Sequence, residues 1–189
     1  TSPGGIEAWL VEDHSIPIIA LDFAFKGAGS KNDTAEKQGL ARMLSNTLDE
    51  GAGELDATAF QKELLDRSIT LAFSAGRDDF GGELKSLTRH SPRAFELLKL
   101  ALTQPRFDED AVTRMRDANM ARVRTSLAEP EWIAARLQND IFYKGHPYAL
   151  NSGGTLSTLP GITPDDLRTY TKAHLSRDRL LIGVAGDIT

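Results

Sequence analysis

Apolar and polar positions alternate through two early stretches. IEAWLVE at residues 6–12 alternates weakly, and IIALDFAF at 18–25 places Ile19, Leu21, Phe23 and Phe25 on one face, opposite Asp22. A period of two marks half-buried strands. With residues 13–15 as a turn, the pair is expected to form an antiparallel hairpin. A Gly-, Asn- and Ser-rich loop at 26–37 leads into QGLARMLSNTLDEGAG, residues 38–53. There the period lengthens. Leu40, Met43, Leu44, Thr47 and Leu48 recur at helical spacing, opened by Gly39 and closed by Gly51. A second helix is expected over 56–65, capped by Asp56 or Thr58. A hairpin follows at 69–87, with Phe80 and Leu84 on one face and Glu83 and Lys85 on the other.

The second half reads as helical. Ser91-Pro92 opens a helix to residue 102, which Pro105 ends. Residues 107–126 form a long amphipathic helix marked by Val112, Met115 and Val123. Pro130 starts another to 143, with Trp132, Ile133, Leu137, Ile141 and Phe142 at helical spacing. Asn151 begins a Gly-, Ser- and Thr-rich loop. Thr163, with Pro164 behind it, caps a last helix, and LLIGVA at 180–185 is a final strand. The order β-β-α-α-β-β-α-α-α-α-β does not alternate. It implies class α+β: a mixed, largely antiparallel sheet with helices packed on one face.

Composition narrows the function classes. The 189 residues suit a single domain, and 40% hydrophobic with 26% charged residues is ordinary for a folded one. A net charge of −5 gives no reason to expect nucleic acid. The basic run at 114–124 contains Asp117 and reads as a solvated helix face. Without cysteine, disulfides, thiolate metal sites and cysteine nucleophiles are excluded. No run approaches the ~20 apolar residues of a membrane helix, so no membrane insertion is expected. There is no Gly-x-Ser-x-Gly elbow and no P-loop; Gly27-Ala28-Gly29-Ser30 lacks the lysine. Asp22, Asp78 and Asp79 read as solvated acids, and Glu50 and Glu54 as solvent-facing. His14, His90, His146 and His174 form no i, i+4 pair and read as surface or locally capped histidines.

Arg42, Ser45 and Asn46 fall at i, i+3 and i+4 of the first helix, on one face. Two histidines and a glutamate there would be a zinc-protease motif. Instead the face carries a cation, a hydroxyl and an amide.

The set resembles one half-repeat of the insulinase/pitrilysin (M16) family of zinc peptidases, which includes mitochondrial processing peptidase. Six stretches carry the resemblance in order: IEAWLVEDHSIPIIALDFAFKGAGS, QGLARMLSNTLDEGAG, the hairpin at 69–87, PRFDEDAVTRMR, FYKGHPYAL and LLIGVAGDIT. It implies the LuxS/mitochondrial-processing-peptidase-like metallohydrolase fold over residues 1–189, the N-terminal half of a longer chain. The family's His-x-x-Glu-His falls on Arg42-Met43-Leu44-Ser45-Asn46. Its third ligand, a glutamate, falls near Arg122, and residues 118–128 contain no acid. Arg42, Ser45, Asn46 and Arg122 are therefore expected to be degenerate metal-site positions. Neither metal nor catalysis is expected in this chain.

The resemblance then implies a non-catalytic subunit or half that forms a peptide chamber with a homologous zinc-bearing partner. A homodimer of the isolated domain is also compatible. A structural assembly protein like the respiratory-complex core subunits is the alternative, and a metal-free peptide-binding domain a third reading. The chain opens on TSPGG without a signal peptide, and resemblance to exported bacterial members sets the bacterial periplasm as the expected location.

Overall fold

The computed structural model describes residues 6–189; the opening TSPGG lies outside them. Strands β1 (Glu7–Glu12), β2 (Ile18–Phe25), β5 (Thr70–Ala75), β6 (Phe80–Leu87) and β7 (Leu180–Gly186) form one sheet in the order β1-β7-β2-β6-β5. Only the β1–β7 pair is parallel. A second, two-stranded ladder joins β3 (Gly51–Ala52) to β4 (Leu55–Asp56). The helices are α1 (Leu40–Ser45), α2 (Ala57–Asp66), α3 (Ser91–Thr103), α4 (Glu109–Ser126), α5 (Pro130–Phe142) and α6 (Pro164–His174). The class is α+β with a mixed, largely antiparallel sheet.

The expected antiparallel pairing of β1 with β2 does not form, because β7 lies between them. Its end is tied to both sides of the short turn: the Asp13 N–H donates to Gly186 O and the Asp187 N–H to Ile18 O, each at 2.9 Å. Gly186 makes the crossing possible. Its φ is +124°, and a Cβ there would lie 2.1 Å from Ile18 O. Alternation along β1 and β2 fixes that they are strands, while the choice of neighbour depends on a segment some 170 residues away.

The inward face follows the sequence pattern. Ile19, Leu21, Phe23 and Phe25 are buried, with Asp22 exposed among their alternates. Met43 and Leu44 of α1, Leu48 just after it, Phe60 of α2 and Leu97 of α3 cover this side and are fully buried, as is Phe80 of β6 on the sheet itself. Tyr170 reaches the core from α6, where its hydroxyl hydrogen is shared between Ala28 O and Gly29 O at 3.0 and 2.8 Å.

Three further expectations change, and one helix shows an open face. The helix read over 38–53 is short, ending at Ser45 with Asn46 as its C-cap. The Thr47 hydroxyl donates to Met43 O at 2.9 Å, and left-handed Gly51 then turns the chain into the β3–β4 ladder, which the sequence pattern did not suggest. The long helix begins at Glu109, since Phe107 is left-handed, with φ +51°. Glu50 is not solvent-facing; it is mostly buried and pairs with Arg114. Finally, α5 buries no residue: Ile133, Leu137, Ile141 and Phe142 are 48 to 72% exposed. Among the described residues no helix is long and apolar enough to cross a membrane.

Candidate functional site

Helix α1 is set by residues before and behind it. Its first N–H groups find no cap at Gly39, which has no side chain. The buried Asp33 carboxyl takes them instead, with Oδ2 accepting from Gly39 N at 2.9 Å and Oδ1 from Ala41 N at 3.1 Å. Burial pushes this carboxyl up to about 7 against the opposing pull of the backbone N–H groups. Gly39 has φ +91°, and a Cβ there would sit 2.7 Å from Gly154 Cα. The loop after Asn151 therefore rests directly on the start of α1. Gln38 fastens it: Gln38 Oε1 accepts from Asn151 N at 2.8 Å, and Gln38 O accepts from the Thr158 hydroxyl at 2.9 Å.

On the other flank lies α4. Asn46 Nδ2 donates to Asn119 Oδ1 at 2.9 Å, joining residues 73 apart in sequence. Asn119 is 2% exposed and its own amide N–H groups donate to Met115 O and Met43 Sδ, both at 3.0 Å. Arg122 Nη1 makes a longer contact to the same Asn119 oxygen, at 3.4 Å. Ser45 takes no part. Its buried hydroxyl donates back to Arg42 O at 2.9 Å.

Arg42, Asn119 and Arg122 line a cavity of about 210 Å³ whose further walls are Ser126, Trp132 and the loop at 151–153. The structure thus brings together Arg42, Asn46 and Arg122 of the four positions singled out from the sequence, and turns Ser45 away. It adds Asn119, one helical turn before Arg122. The resemblance pointed to that neighbourhood, and an amide facing Asn46 marks the residue within it. Burial, and secondly the charge of Arg122, hold the Arg42 guanidinium below its usual pKa, although an arginine remains a cation in a protein. The donors on offer are two amides and two guanidiniums. Among the described residues there is no group of three or more His, Asp or Glu placed to hold a metal.

The histidines are dispersed. His14 Nδ1 lies 2.7 Å from Asp187 Oδ1, which raises the imidazole pKa through that hydrogen bond. His90 Nε2 accepts from Arg89 at 3.1 Å, and His146 Nδ1 from Tyr148 N at 3.2 Å. His174 differs from the surface reading: its half-buried ring packs on Tyr170 with centroids 4.4 Å apart, and burial lowers its pKa. Asp78 is not simply solvated, since it accepts from the Tyr148 hydroxyl at 2.5 Å and pairs with Lys31. A concavity of about 730 Å³ lies away from α1 on the open face of the sheet, between Trp9, Asp22 and Glu83. Its polar lining includes the carboxylates of Asp22, Asp79 and Glu83.

No family model matches the chain. It is 25% identical, over 94% of its own length and 41% of the relative's, to the non-peptidase homolog YmxG of Helicobacter pylori. The crystal structure of a peptidase M16 inactive domain from Pseudomonas fluorescens superposes with a TM-score of 0.92 at 24% identity, over 100% of this chain and 46% of that one. Pitrilysin gives 0.85 at 21%, over 99% of this chain and 20% of its own. The chain spans less than half the length of these relatives. Its fold is that of an M16 peptidase half.

Proposed function

We propose that this chain is a non-catalytic M16-like subunit or half that helps enclose a peptide together with a zinc-bearing partner. The Asn46–Asn119 hydrogen bond carries the reading. It joins Asn46, where the resemblance places one zinc ligand, to Asn119, one helical turn before Arg122, near which it places another, and it links the two helices through neutral amides. Catalytic zinc needs three protein ligands and an open position for water. Amide oxygens are weak ligands for it, and Arg42 and Arg122 put positive charge where a dication would go. Ser45 has neither the charge nor the orientation of a general base. The residues at this place do not fit zinc, so no hydrolytic step is assigned to them.

The relatives support the same reading, one being a non-peptidase homolog and another an inactive domain. The test is purification of the native chain from its own cells. Co-purification with a chain bearing His-x-x-Glu-His, with peptide hydrolysis lost when either chain is removed, is the expected result. Recovery in a membrane assembly without such a partner would replace this reading with the structural one.

A further inference from the structure

We propose that the cavity between α1, α4 and the 151–153 loop is an oxyanion site, binding a carboxylate or a phosphate where the resemblance places a metal cation. Two guanidiniums, of Arg42 and Arg122, line the same cavity. Neither has an ion-pair partner among the described residues. Arg67, Arg93, Arg106, Arg114, Arg136 and Arg168 each hold a carboxylate within 3.0 Å; other arginines also lack one, and what distinguishes Arg42 and Arg122 is that the two line one cavity together. Arg42 is half-buried, and its side chain has no hydrogen-bond acceptor among the described residues. Arg122 has only the long contact to Asn119.

Two facing cations left without a counter-ion repel each other, and a partly buried one has also lost hydration. An anion entering between them relieves both costs and gains charge-assisted hydrogen bonds in the fork geometry that guanidinium offers to carboxylate and phosphate. No acid lines the cavity to oppose it. Ser126, Ser152 and Asn151 supply neutral polar groups, and Trp132 an apolar wall. The volume of about 210 Å³ suits one phosphate or one acidic side chain rather than a larger ligand.

The loop wall is preformed. Asn151 Oδ1 accepts from Gly153 N at 3.1 Å and its amide donates to Gly154 O at 2.6 Å, so the turn stands without a ligand. Little ordering is then required on binding, which favours affinity. The inference rests on this cavity alone. A chain that never joined a peptide chamber would still bind the anion, so the two proposals fail separately.

The chain has two tryptophans, Trp9 and Trp132. Trp9 is 56% exposed and distant from the cavity, so Trp9→Phe leaves Trp132 as the reporter. Its fluorescence is followed at constant ionic strength against inorganic phosphate and, separately, an N-acetylated dipeptide ending in glutamate. A saturable change is expected. Tighter binding of phosphate identifies a free anion as the ligand, and tighter binding of the dipeptide a peptide carboxylate. Arg122→Gln, an exposed position that leaves folding intact, should weaken binding tenfold or more. Arg124→Gln, on the same helix outside the cavity, should leave it unchanged. No saturable change with either probe, or equal binding in the Arg122→Gln protein, overturns the proposal.

Discussion

Asn119 bonds Asn46, Met43 and Met115 with one buried amide, besides the longer contact from Arg122, so its removal orphans groups on both sides of the α1–α4 contact. Asn119→Ala should cost about 2 kcal/mol, the penalty of leaving a buried donor unpaired together with the lost bonds, read as a lower midpoint in urea unfolding. Asn46→Ala should cost less, since the Asn119 amide keeps its bonds to Met115 and Met43. Arg42 is the opposite case. A half-buried cation with no acid partner is a cost in the free protein, so Arg42→Met should stabilise the chain or leave it unchanged. A clear loss of stability would show that the guanidinium has a role in the fold. Asp33 sets a pH dependence. Its folded pKa, about 7, lies above the unfolded value of about 3.9. The folded state therefore holds its proton longer. The stability this group contributes is complete below pH 4, falls as pH rises, and levels off above about pH 7. Urea unfolding of the wild type and Asp33→Asn across that range should show the wild type losing ground to the variant as pH rises. A difference independent of pH contradicts the assignment.

At the scale of the element, α1 depends on glycine as much as on its apolar stripe. Gly39→Ala forces a Cβ into left-handed backbone and against Gly154, and should cost about 2 kcal/mol or more; chemical denaturation measures it. The stripe itself was legible, since Met43, Leu44 and Leu48 are buried as their spacing implies. The helix's length was not, because Thr47 turns its hydroxyl onto the preceding carbonyls and Gly51 redirects the chain. Periodicity located α5 as a helix but did not say what covers its apolar face. Ile133, Leu137 and Ile141 have the spacing of a core stripe, yet among the described residues they remain 48 to 65% exposed. A pattern reports a face suited to burial and says nothing of what covers it. Native-state hydrogen exchange should therefore find α5 opening more readily than β2, β6 and α3, whose side chains fill the core.

For the whole molecule, the layer arrangement could be read from element order, but the sheet's neighbours could not. β7 enters between β1 and β2 from the far end of the chain, and nothing local to the first hairpin signals it. The candidate site was partly readable for a related reason. Arg42 and Asn46 share one helix and were found by spacing. Asn119 and the loop at 151–153 join them only through tertiary packing. Together they give an M16-like half in which amides and guanidiniums stand where the resemblance places zinc ligands. The most direct test is zinc content by elemental mass spectrometry after metal loading and buffer exchange, paired with hydrolysis of a mixed peptide library by the same sample. The account predicts far less than one zinc per chain and no hydrolysis. One tightly held zinc per chain together with peptide cleavage would contradict it.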